Sequence, residues 1–163
     1  MSAGNGAMYG NIQGIKNLMS HYDKDGDYIN PVNGLAGLLV TDENESSRKR
    51  IISIPESSKE EMYELTKKEF LRENGVHNGD TTKRSDVYNN LYRKMQKKDR
   101  LAAGYTLEKY ERIYRQAFYD AAKKADPNWK IGKPIKDGAL DSVTRELAES
   151  GKSPAQATLD TKI

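Results

Sequence analysis

The sequence predicts a mainly α-helical protein: a small bundle of four to five short helices, one β-hairpin, and extended arms at both ends. Three observations carry that expectation. Apolar residues recur every three or four positions in several separate stretches, the period of a helix with one buried face. Those stretches begin and end at capping and breaking residues. The apolar supply is thin, with 36% hydrophobic and 31% charged residues, and two Phe and one Trp against ten Tyr. The core must therefore be small and built from Leu, Ile, Met and the faces of tyrosines. A chain of 163 residues fits one domain. The expected division is an N-terminal arm over 1–9, a single helical domain over 10–150 with the hairpin at 35–54, and a C-terminal tail over 151–163.

Ile12, Ile15, Leu18 and Met19 follow helical spacing, which predicts a short amphipathic helix from Asn11 to His21. An aspartate-rich loop follows. The segments GLAGLLV (34–40) and RKRIISI (48–54) flank a polar linker and read as the two strands of the hairpin. A short helix starting at Pro31 is the competing reading. Ser57 and Ser58 predict a helix N-terminus. Glu60 and Glu61 then sit near the positive end of the helix dipole, and Lys67, Lys68 and Arg72 near its negative end. Asn74–Gly75 supplies the stop.

A second long helix is expected from Asp86, with Val87, Leu91 and Met95 on one face, fading at Ala103–Gly104. Thr106 is then read as the cap of the strongest helix, Leu107 to about Ala125. Leu107, Tyr110, Tyr114, Ala117 and Ala121 form a heptad-like seam in it. Asp126–Pro127 ends that helix. Leu140, Val143 and Leu147 mark a last short one before Gly151.

Charge is unevenly spread. Met1–Ser47 holds two basic and six acidic residues, whereas Lys83–Lys124 holds twelve basic and five acidic. Such polarity suits a charged neighbour or head-to-tail contact between copies. There is no cysteine, which excludes disulfides, thiolate metal sites and thiol catalysis. No apolar run approaches the ~18 residues of a membrane span. The start MSAGNGAMYGN lacks a basic region followed by an apolar one, so no secretory leader is expected. A soluble protein of cytoplasmic synthesis is the default, and an assembly subunit would further allow incorporation into a particle.

Three stretches bear on function. In YDKDGDYINPVNG, Asp23, Asp25 and Asp27 alternate with other residues, a cluster of hard oxygen ligands. They match the first, third and fifth positions of an EF-hand calcium loop, with a helix expected before them, and the stretch resembles that loop. It departs from the family in two places. Tyr28 stands where a glycine permits the sharp turn. Gly34, or Asn33 if one residue is deleted, stands where a bidentate glutamate closes the shell. No second such loop occurs. Two readings follow: a solvated aspartate turn, or a weak calcium site of Asp23, Asp25, Asp27 and Asn33.

Between Tyr88 and Tyr119 six tyrosines alternate with basic residues. Lys94, Lys97, Lys98 and Arg100 suit phosphates, and aromatic faces stack on bases. No nucleic-acid motif frames them, and Tyr110 and Tyr114 also suit a protein interface. These six residues are taken as a partner-facing surface. Of the two histidines, His21 adjoins the aspartate loop and reads as a helix-end residue. GxSxG, P-loop, GxGxxG and HExxH motifs do not occur.

The reading that results is a non-enzymatic structural or adaptor subunit of a larger assembly, such as a virus-like particle or secretion machine. Its partners are other protein subunits or further copies of itself, with no membrane and no cofactor. The alternatives are a calcium-modulated binding protein and a nucleic-acid-binding accessory protein.

Overall fold

A computed structural model of the chain describes residues 21–77 and 81–151. The arm over 1–9, the expected helix from Asn11 up to residue 20, and the tail beyond Gly151 lie outside the described residues. The class is mainly α. The helices are α1 (Glu45–Arg48), α2 (Glu56–Arg72), α3 (Thr81–Arg93), α4 (Arg100–Ala125) and α5 (Arg145–Ser150), with a 3-10 turn at Lys97–Asp99. None among the described residues is long and apolar enough to cross a membrane.

Helices α2, α3 and α4 pack together and α5 lies against α4. The core between them holds Met62, Tyr63 and Phe70 of α2, Leu91 of α3, and Leu107, Tyr114 and Phe118 of α4. As the composition implied, aromatic edges do much of the packing. Tyr63 meets Tyr114 edge-on with ring centres 5.3 Å apart, and Phe118 lies 5.4 Å from Tyr63 and 5.9 Å from Phe70. The lone tryptophan, Trp129, follows α4, packs on Phe70 and donates its indole N–H to the carbonyl of Lys133. Burying such rings is worth about 1.5–3 kcal/mol each.

One ionic cluster crosses this core. Arg84 of α3 donates to Glu69 of α2 at 2.6 Å and pairs with Glu111 of α4. The Glu69 side chain is only 2% exposed. Three helices thus share one part-buried guanidinium.

The expected β-hairpin over 35–54 is absent: the described residues contain no strand, only isolated bridges pairing Tyr22 with Tyr28 and Ile29 with Ala36. The cause is local. Gly37 adopts φ +82°, which breaks the first apolar segment. The linker then coils instead of turning. Thr41 and Asn44 exchange side-chain-to-backbone bonds at 3.1 and 3.2 Å and lead into α1. The second segment finds its backbone partner in a side chain, because Ile52 N–H donates to the hydroxyl of Thr106 at 3.0 Å.

That hydroxyl also corrects a helix boundary. Thr106 does not cap; it is buried inside α4 and donates to the carbonyl of Ala102 at 2.8 Å. Helix α4 starts at Arg100, and the break after α3 falls over 94–99 rather than at Gly104. Gly104 sits mid-helix because the ring of Tyr92 lies where a side chain would be; an added Cβ would come within 2.8 Å of its hydroxyl. The cap of α2 moves too: Pro55 precedes the helix, and Ser57 and Ser58 lie in its first turn. Helix α5 begins at Arg145, later than expected, where the Thr144 hydroxyl accepts the Leu147 N–H. The stop after α2 is as the sequence implied, with Asn74 at φ 52° and Gly75 at φ 82°.

Gly37 yields a first prediction. A Cβ there would overlap the backbone carbonyl of Lys97. Gly37→Ala should cost at least about 1–2 kcal/mol from left-handed backbone alone, with the overlap adding to it. Urea unfolding checks this, and wild-type stability in the variant would remove the close seat of residues 35–38 on the 3-10 turn.

Candidate functional site

The aspartate loop and the basic turn, read separately in the sequence, meet in space. The loop is shaped by its first aspartate. One carboxylate oxygen of Asp23 accepts the N–H groups of Asp25 and Asp27, both at 2.9 Å. Its backbone N–H donates to the Asp27 carbonyl at 2.9 Å. Gly26 takes φ +84° with open space around it, so the chain can reverse there. The Tyr22–Tyr28 bridge closes the loop, its rings meeting edge-on at 5.8 Å. All three carboxylates then face one point.

The ammonium of Lys97 occupies that point. It lies 2.7 Å from Asp23, 2.7 Å from Asp25 and 2.6 Å from Asp27. An ammonium has three protons, so each carboxylate can take one. Hydrogen bonding to Lys97 first, then to the loop's own N–H groups, holds the Asp23 carboxyl below its ordinary value. The bonds to Asp23, Asp25 and Asp27 in turn hold Lys97 above its ordinary value. The lysine is delivered by the 3-10 turn, on which Gly37 rests. Arg100 braces both sides, donating to the Ala36 carbonyl and to the Tyr92 carbonyl, each at 2.8 Å. The loop is thereby clamped to the helical bundle.

The other residues singled out in the sequence are placed as follows. Asn33 turns its side chain elsewhere: its oxygen accepts Leu35 N–H at 3.0 Å and its nitrogen donates to Asn89 at 3.1 Å. Lys94 donates to the Ser57 hydroxyl at 2.9 Å and lies 3.7 Å from Glu61. Lys98 is exposed. Tyr114 is wholly buried and donates to Glu149 at 2.8 Å. Tyr110 is half-buried, with the Lys59 ammonium 4.6 Å above its ring. Asp23, Asp25 and Asp27 are filled by the Lys97 ammonium, and beyond that cluster no three or more His, Cys, Asp or Glu among the described residues are grouped so as to hold a metal ion. Lys97 was legible as a charge but not as the partner of the loop, since 74 positions separate it from Asp23 and no local pattern spans that distance.

Beside the clamp lies an open groove. One hollow of about 430 Å³ runs between Tyr28, Leu39 and Lys98, and a second of about 280 Å³ lies among Val40, Tyr88, Tyr92 and Tyr105. Arg48 and Leu101 wall both. Leu39 and Val40 are 54% and 58% exposed at its edge.

The clamp has a defined pH window. Asp23, held low, contributes stability above the ordinary carboxylate value of 3.8 and loses it as pH falls through the folded value. Lys97, held high, contributes below 10.5 and loses it as pH rises through its folded value. The melting-temperature gap between wild type and Lys97→Met should therefore be flat through neutral pH and close in acid below 3.8. A gap that opens as acid is added would contradict the clamp.

A family model described as a domain of unknown function, DUF3879, matches residues 1–163. No curated protein and no solved structure matches the chain. With its whole length covered by that model, the chain belongs to the DUF3879 family.

Proposed function

We propose that the protein is a non-enzymatic structural or adaptor subunit of a larger assembly, and that it receives a partner protein in the groove beside the clamp. The observation carrying this reading is the pairing of exposed Leu39 and Val40 with the tyrosine-lined hollow across Leu101. Tyrosine offers a large apolar body with a hydrogen-bonding tip, which suits protein contacts. The rim cations Arg48 and Lys98 form no ion pair among the described residues. The partner chemistry that fits is a helix with an apolar face and acidic flanks.

The nucleic-acid reading loses support from the same geometry. Lys97 is spent on three carboxylates, Arg100 on two carbonyls and Lys94 on α2, while Tyr114 is in the core. The calcium-modulated reading has one observation in its favour, the convergence of three carboxylates on a single cation. It requires Lys97 to leave.

The groove is tested by placing a photo-crosslinking side chain at Val40, and separately at exposed Lys68, in the full chain within its source cell. One discrete product at Val40, missing at Lys68 and lost on Leu101→Asp, is expected. The same products from both positions, or none from Val40, would overturn the reading.

A further inference from the structure

A further cavity lies away from the groove and shares no lining residue with it. It measures about 680 Å³, between the end of α2, the loop at 75–77, the middle of α4 and Ile131. Its walls are mostly apolar: Phe70, Val76, Tyr119 and Ile131. Val76 and Ile131 are exposed. The charge in it comes from Arg112 and Arg115, and these differ. Arg112 is exposed and paired with Glu108 at 2.8 Å. Arg115 is half-buried and has no carboxylate within ion-pair distance among the described residues.

The guanidinium of Arg115 makes one contact, 3.1 Å from Nδ1 of His77. Its Nε and Nη1 are buried with no partner. Glu69, the acid whose charge reaches Arg115, forms its close ion pair with Arg84 instead. Burial first, and then the charge of Arg84, push Arg115 below its ordinary value. Partial burial and then the Arg115 charge likewise push His77 down, and Nδ1, facing a group that can only donate, is the acceptor of that contact. A half-buried cation left without an anion costs stability. An apolar cavity with an unpaired guanidinium in its wall has the chemistry of an anion site.

We propose that this cavity binds a carboxylate carried on a flat apolar body, with Arg115 as the anion-binding residue and Phe70, Tyr119 and Ile131 enclosing the apolar part. Nη2 keeps a second N–H beyond the one that meets His77, and a carboxylate is the acceptor that a guanidinium N–H binds most strongly. The volume lies within the range of about 300–1,000 Å³ of small-molecule sites. Both a small aromatic acid and the C-terminal carboxylate of a peptide ending in an aromatic residue carry that chemistry. This inference does not depend on the groove.

The test is calorimetric titration of the full chain with phenylacetate, with N-acetylphenylalanine, with N-acetylphenylalanine amide and with inorganic phosphate. At least one acid should bind and the amide and phosphate should not. The stronger acid identifies the source, free acid or peptide terminus. Arg115→Gln should weaken binding roughly ten- to a hundredfold while melting no lower than wild type, because an unpaired charge has gone. Ile131→Glu, at an exposed position, should also block binding by supplying a carboxylate from within. Equal binding of the amide, binding of phosphate as tight as the acids, no binding of either acid, or full affinity in Arg115→Gln would each overturn the proposal.

Discussion

Arg84→Met is expected to cost about 3–5 kcal/mol, the largest loss from any single charged residue here. Arg84 joins α2 to α4 through Glu69 and Glu111. Removing it leaves two carboxylates in the core, at 2% and 10% side-chain exposure. Glu111 then bears most of its desolvation cost without a paired cation, and Glu69 keeps only Arg72, at 3.9 Å. A domain is stable by only about 5–15 kcal/mol, so the variant sits near the edge of folding. Replacing all three residues, Arg84→Met with Glu69→Leu and Glu111→Leu, removes the stranded charges and should recover most of the loss. Urea unfolding of the single and triple variants decides the matter. A single variant as stable as wild type would mean that the cluster does not join the helices.

Tyr114→Asp should be comparably severe. Tyr114 is wholly buried, with its ring against Tyr63 and its hydroxyl on Glu149 of α5. The substitution removes an aromatic ring from a packed core, a loss of about 3–5 kcal/mol by comparison with Phe→Ala changes. It also sets a second carboxylate beside Glu149. Tyr114→Phe separates the two effects: it keeps the ring, loses only the bond to a charged acceptor, and should cost about 1.5–3 kcal/mol. Melting followed by circular dichroism reads both. Unchanged melting in Tyr114→Asp would remove this seam from the core.

Legibility followed the range of the interactions. The end of α2 at Asn74–Gly75 could be read because a left-handed pair after a periodic stretch is a local signal. The seam on α4 could be read in part: Leu107 and Tyr114 are fully buried and Tyr110 and Ala121 pack against the core, but Phe118 and Ala122 are the fully buried residues of its second half and Ala117 is not among them. The start of α4 was misplaced because Gly104 and Thr106 have the local look of a break and a cap. Their roles come from partners far along the chain, Tyr92 against Gly104 and Ile52 against Thr106. The hairpin failed for the same reason. Gly37 is fitted to Lys97, and alternation of apolar residues carries no trace of that fit. The aspartates were recognised as cation-seeking, while the lysine facing them is supplied by tertiary structure.

That pairing is the central claim, and melting curves with chelator and with several millimolar calcium test it most directly, on wild type, Lys97→Met and Asp25→Ala. With the ammonium in place the three carboxylates are already satisfied, so wild type should melt at the same temperature in both buffers. Lys97→Met should melt lower in chelator, because three facing carboxylates repel, and calcium should raise it by mass action. Asp25→Ala should show no calcium response. Wild type stabilised by calcium, with the shift lost in Asp25→Ala and with Lys97→Met melting like wild type, would contradict the clamp and make the loop a cation site in its own right.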